Sequence, residues 1–243
     1  MLILLLAASA TALATGLGAI PVFFVGGRAS AWEPALWGLA AGVMTVASIV
    51  GLLLPALDDG SSTAVASGLA AGVAFLAIAR IALGRSDVHV GELRGAGVRT
   101  SVLVFSVLFV HSLPEGFAIG TAYASDIAGL SLFVILAIGL QNIPEGTSVA
   151  IPMAEAGFSR RQQFWAAVLT SALQPVGALA AFLMVETIHG LLPVSFAFAA
   201  GAMLALVATD LLPRTFRSRS WRGPLGVLAG AGIMLALSAV LGV

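Results

Sequence analysis

The chain has 243 residues, 60% of them hydrophobic and 9% charged, with a formal net charge of +0 and a mean hydropathy of +1.09. A soluble domain carries about 25% charged residues, so an ordinary soluble fold is excluded, and the balanced charge offers nothing to a nucleic acid. There is no cysteine, which excludes disulfides, thiolate metal sites and cysteine catalysis; all 11 basic residues are arginine.

A membrane protein spans the bilayer with helices or with the strands of a closed barrel. Barrel strands alternate apolar and polar residues over about ten positions. Here the apolar runs are continuous and helix-length, about 20 residues or more. Eight are predicted, over about 2–25, 33–56, 63–83, 100–123, 127–153, 162–185, 190–212 and 224–243. The first contains Ala8-Ser9-Ala10 and Ala12-Leu13-Ala14, which look like signal-peptide cleavage sites. No basic residue precedes it and the apolar run continues to Val25, so it is read as a retained helix. The breaks are short: Gly26-Gly27-Arg28, Asp58 to Ser62, and Arg214 to Pro224. The longest, about 84–99, holds Arg85, Asp87, His89, Glu92, Arg94 and Arg99. No soluble domain fits between spans, so the expectation is one all-α polytopic membrane domain over 1–243.

The arginines test this partition. All 11 fall at or beside the first, third, fifth or seventh connection, which share one side of the membrane. The other side carries Asp58, Asp59, Asp126 and Glu186. The positive-inside rule makes the arginine side cytoplasmic and puts both termini outside.

Three ionisable groups cannot reach the headgroups. His111 and Glu115 lie midway along the fourth span, in His111-Ser112-Leu113-Pro114-Glu115-Gly116. Glu145 lies in the fifth, in Gln141-Asn142-Ile143-Pro144-Glu145-Gly146. A charge at the bilayer centre costs at least about 2.5–3.5 kcal/mol, so each must be offset. His111 and Glu115 are spaced i, i+4 and share a helix face, as do Gln141 and Glu145. Pro114 and Pro144 withdraw a backbone donor from each helix, an irregularity tolerated at membrane depth only in a protein interior or beside a watery cavity. The glycine after each glutamate permits close helix approach. One imidazole and two carboxylates suit Zn²⁺ or a similar divalent ion, and their −2 is neutralised by a single such ion. A buried His–Glu hydrogen bond or a proton relay would use the same groups. Met44, midway along the second span, is a further thioether donor, or else faces lipid or packs. Gln174-Pro175 is a polar, proline-marked point in the sixth span. His89 and His189 are expected in water.

At these residues the chain resembles the ZIP (Zrt-/Irt-like protein) family of divalent metal transporters, over nearly its whole length. Supporting stretches are Thr15-Gly16-Leu17-Gly18, Leu53-Leu54-Pro55, Gln174-Pro175-x-Gly177, and Ala200 to Met203 with Leu212-Pro213. The resemblance implies a 3+2+3 bundle, the outer triplets being inverted repeats around the fourth and fifth helices. It implies a first metal site of His111, Glu115 and Glu145, with Met44 where some bacterial members place a ligand. Family members often hold a second ion, bridged by the position of Glu145. The asparagine, aspartate and glutamate usual there are Ser112, Asn142 and Gln174 in this chain, leaving a weak or vestigial second site. The His-Glu pair common late in the seventh span reads Thr209-Asp210. Gln141, Asp58 and Asp210 are accessory candidates.

The expected function is transport of a divalent metal into the cytoplasm, Zn²⁺ first, with Cd²⁺, Fe²⁺ and Mn²⁺ open, and no organic cofactor. The expected setting is the bilayer of a bacterial inner (plasma) membrane, with homodimerisation left open. The alternative is a metal-binding membrane sensor or transport-inactive homologue. An embedded metallohydrolase would need His-Glu-x-x-His or its like, which is absent, so no enzyme is expected.

Overall fold

The computed structural model describes residues 1–85 and 96–243. Among them the chain is all-helical, with eight helices long and apolar enough to cross a membrane. They are α1 (Leu2–Val25), α2 (Arg28–Asp59), α3 (Ser62–Ala82), α4 (Val104–Ala124), α5 (Leu130–Glu155), α6 (Arg160–Thr187), α7 (Leu192–Arg217) and α8 (Arg222–Leu241). Each expected span has its counterpart. The largest shifts in their ends have local causes. A 3₁₀ turn over Gly26–Trp32 leads into α2, and α7 is carried past Leu206 by a π turn over Val207–Leu211.

Neighbours are paired in a pattern that repeats. Helix α1 lies along α5, and α6 along α4; α2 lies along α8, and α7 along α3. Exchanging the first three helices with the last three, and α4 with α5, maps each pair onto another. The irregularities obey the same exchange. A π turn interrupts α2 at Ile49–Leu53 and α7 at Val207–Leu211, and each is followed at once by a Leu-Pro step, Leu54-Pro55 and Leu212-Pro213. A π turn holds one extra residue, which absorbs the donor that proline lacks. Helices α1 and α6 are likewise each broken once, before Val22 and before Gln174. This is the expected 3+2+3 bundle, with α4 and α5 against each other at its centre.

Burial sorts the layers. In α2 and α5, 67% of the span window is buried, against 22% in α3 and 17% in α8. The outer helices therefore meet lipid, and the inner ones can carry polar side chains. Helix α1 is two-faced. Leu4, Ala8, Thr11, Ala12 and Thr15 recur at helical spacing on its buried side, while Leu2, Leu6, Leu13 and Leu17 are exposed.

Candidate metal site

Helices α4 and α5 run antiparallel, and their register is set by a hydrogen bond. Gln141 Nε2 donates to Glu115 Oε1 at 2.7 Å. If those residues sit at one depth, four residues back along α4 and four forward along α5 lead to a second common depth. That level holds His111 and Glu145, about 6 Å nearer the arginine side. All four side chains are buried.

Two glycines let each central helix close on an outer one, α5 on α1 and α4 on α6. A Cβ added to Gly146 would collide with the Thr15 carbonyl of α1, and one added to Gly116 with the Gln174 carbonyl of α6. Both helices continue in α conformation through Pro114 and Pro144. Just past Pro144, Thr147 Oγ1 of α5 donates to the Gly18 carbonyl of α1 at 2.7 Å, and Ser148 Oγ to the Pro144 carbonyl of its own helix at 3.0 Å.

The positions of the reduced second site form an amide cluster. Asn142 and Gln174 face each other in a reciprocal pair, each Nε2 or Nδ2 donating to the other's oxygen at 3.2 Å. Gln174 Nε2 also donates to Glu115 Oε2 at 2.7 Å, and Asn142 Nδ2 to the Thr11 carbonyl at 2.7 Å. The Thr11 hydroxyl lies 2.9 Å from Gln174 Oε1 and 2.8 Å from the Ala8 carbonyl. Ser112 Oγ donates to the Phe109 carbonyl of its own helix.

Three buried acceptor-type atoms in this region have no hydrogen-bond partner among the described residues: His111 Nδ1, Gln141 Oε1 and Glu145 Oε1. An imidazole nitrogen, an amide oxygen and a carboxylate oxygen are all donors to a divalent cation. Leaving such atoms unpaired is costly in a low-dielectric interior, and a cation cargo would relieve it. Among the described residues no three His, Asp or Glu side chains converge into a ready cage. Both oxygens of Glu115 are engaged by amides instead.

His111 also lines a cleft on the arginine-bearing side, with Trp37, Val104, Leu108, Asp210 and Arg214. At that cleft Arg80 pairs with Asp210 at 2.8 Å, and the Arg214 guanidinium stacks on Trp37, 4.9 Å from the ring centre. Met44 is fully buried among the inner helices, so it does not face lipid. Asp58 is exposed at the far end of α2. His89 lies outside the described residues. Sequence reading missed Thr11, which backs the cluster from α1, and the Arg80–Asp210 pair. Thr11 and Thr15, spaced i, i+4 on the buried face of an apolar helix, were the available clue.

The chain is similar to known proteins. A family model described as ZIP Zinc transporter matches residues 79–238. The zinc transporter GufA of Myxococcus xanthus is 33% identical over 94% of this chain and 95% of its own length. The zinc transporter ZIPB of Bordetella bronchiseptica is 30% identical over 94% of this chain and 78% of its own. A protein of Arabidopsis thaliana, provisionally named as a zinc transporter, is 36% identical over 93% of this chain but only 36% of its own length. The chain thus spans about a third of that plant relative and most of the two bacterial ones. With the match covering both Pro-Glu-Gly elements, the chain belongs to the ZIP zinc transporter family.

Proposed function

We propose that this protein carries a divalent metal ion, Zn²⁺ first, across a bacterial plasma membrane into the cytoplasm, through one intramembrane site. Glu115 and Glu145 are its charged ligands, His111 its nitrogen ligand and Met44 an accessory. One observation carries the reading. The two Pro-Glu-Gly elements face each other in register, with His111 Nδ1, Gln141 Oε1 and Glu145 Oε1 buried and unpartnered beside them. A carrier is the fitting role, since the cluster holds acceptors for a cation.

Direction follows from charge. The arginine-bearing side is cytoplasmic by the positive-inside rule, so both termini lie outside and the whole chain forms one transport domain. The cleft that reaches His111 is then its inner mouth. Movement of one helix bundle against the other would open the site to each side in turn. Zn²⁺ leads because a mixed nitrogen and oxygen site ranks it above Fe²⁺ and Mn²⁺. One ion is expected, because Asn142 and Gln174 are neutral and −2 balances +2.

A second reading has its own support. With Glu115 engaged by two amides, the protein could bind metal as a sensor without moving it. Uptake by proteoliposomes, measured over a panel of Zn²⁺, Cd²⁺, Fe²⁺ and Mn²⁺ with bound metal counted, separates the two. Saturable Zn²⁺ uptake supports the carrier. Stoichiometric binding with no flux supports the sensor and overturns transport.

A further inference from the structure

Gln174 is oriented without ambiguity by its neighbours. The Thr11 carbonyl can only accept, so the Asn142 nitrogen must face it. The Asn142 oxygen is thereby turned to Gln174 Nε2, and the Asn142 nitrogen to Gln174 Oε1. This fixes Gln174 with its amide nitrogen toward Glu115 Oε2 and its oxygen away, toward Asn142 and the Thr11 hydroxyl. Gln174 therefore presents to Glu115 a donor, which has no lone pair for a metal. Gln141 does the same from α5, at Glu115 Oε1. The carboxylate of Glu115 is gripped at both oxygens, 2.7 Å from each amide nitrogen. Gln141, Asn142, Gln174 and Glu115 are all essentially inaccessible to solvent.

We infer that Gln141 and Gln174 are positioning residues that clamp the Glu115 carboxylate in one orientation, standing where a second cation would otherwise hold it. The inference rests on the single-ion reading above and says how that single site is kept in shape. An ionised carboxylate has about four lone-pair directions, and the two amides take one on each oxygen. The remaining lone pairs are presented to the incoming ion from a fixed rotamer, so binding does not have to order them. Thr11 and Asn142 hold Gln174 in turn, which ties α1 and α6 to the geometry of a ligand on α4. A cation bridging Glu115 and Gln174 is excluded, because an N–H group already points along that line.

The test rests on Gln174→Met, which keeps length and apolar volume and deletes the donor to Glu115; Gln141→Met stands beside it and deletes both its donor and the Oε1 left open to the cation. Each should raise the KM for Zn²⁺ uptake about tenfold, with kcat within about twofold, because the loss falls on ground-state binding; a hydrogen bond to a charged group is strong enough to supply that factor. A role confined to folding would lower the amount of active protein and leave KM alone. Thr11→Val, which loosens the backing of Gln174 without touching Glu115, should shift KM in the same direction by less. Calorimetric Zn²⁺ binding to the purified variants keeps the inference testable if the wild type binds without transport: Kd should then rise by the same factor. Infrared spectra of the metal-free protein give a third reading, independent of any metal. The carboxylate stretch assigned by Glu115→Gln subtraction should shift in Gln174→Met. Folded Met variants with wild-type KM, wild-type Kd or an unmoved Glu115 band would overturn the clamp. Absence of both flux and binding in the wild type would instead overturn the transport reading, and the infrared band would still decide the clamp.

Discussion

The electrostatics of the centre come down to a few atoms. Ionised to hold a metal, Glu115 and Glu145 bring −2; among the described residues no basic side chain is hydrogen-bonded to either, and two amides donate to Glu115. Neutral amides cannot offset the repulsion of two divalent ions a few ångströms apart, which is several kcal/mol even at an effective dielectric of about 20. The purified protein should therefore bind one core ion. Asn142→Asp with Gln174→Glu replaces the reciprocal amide pair by two carboxylates and releases one grip on Glu115. That double variant should bind a second ion, read by metal analysis or by anomalous scattering from Cd²⁺-soaked crystals. Two adjacent ions in the unmodified protein would contradict the charge argument. At this scale the sequence was informative about identity and silent about orientation. The i, i+4 spacing and repeated Pro-Glu-Gly marked the four central side chains. Which end of Gln174 meets Glu115 depends on a backbone carbonyl at Thr11 that orients Asn142, a contact between residues 131 apart in sequence.

Elements are held in place by small residues more than by shape-matched large ones. Without a hydrophobic drive between helices in lipid, close backbone approach supplies the packing. Gly116 and Gly146 stand against the carbonyls of Gln174 and Thr15, which are backbone atoms and cannot swing aside. Gly146→Ala and Gly116→Ala should each destabilise the protein by about 1–3 kcal/mol, as overpacking does, and should lower the unfolding temperature in detergent. Gly232→Ala on α8, where an added Cβ meets nothing within 4 Å, should leave it equal or higher. Equal behaviour of all three would show that the close contacts do not carry the packing. The number of spans was legible because bilayer thickness imposes run length. The π turns were not, since a one-residue insertion leaves hydropathy unchanged; the Leu-Pro steps that follow them were visible, without their cause.

For the whole molecule, orientation and coupling to protons each have a direct measurement. The native chain has no cysteine, so single cysteines report topology without background. Asp126→Cys, in the α4–α5 connection, should react with an impermeant maleimide on intact cells. Arg217→Cys, at the end of α7, should react only after permeabilisation. The opposite pattern would reverse the direction of transport. Carboxylates and imidazole must be free of protons to bind a metal, so uptake should weaken as external pH falls from neutral to mildly acidic. A flat profile would count against a His/Glu site. The arginine distribution in the sequence gives an expected sidedness, which these two cysteines test. The exchange symmetry of the helix pairs was hidden there, because apolar sequences of different composition satisfy the same packing.

The central claim is that the ion passes through the facing Pro-Glu-Gly elements, and Glu145→Ala tests it most directly. Removing one carboxylate leaves −1 against +2 in a low-dielectric site and strips the ion of a ligand. Zn²⁺ entry into proteoliposomes carrying a trapped fluorescent chelator should be saturable for the wild type and lost for Glu145→Ala at equal protein per vesicle. Wild-type uptake by the well-inserted variant would contradict the site.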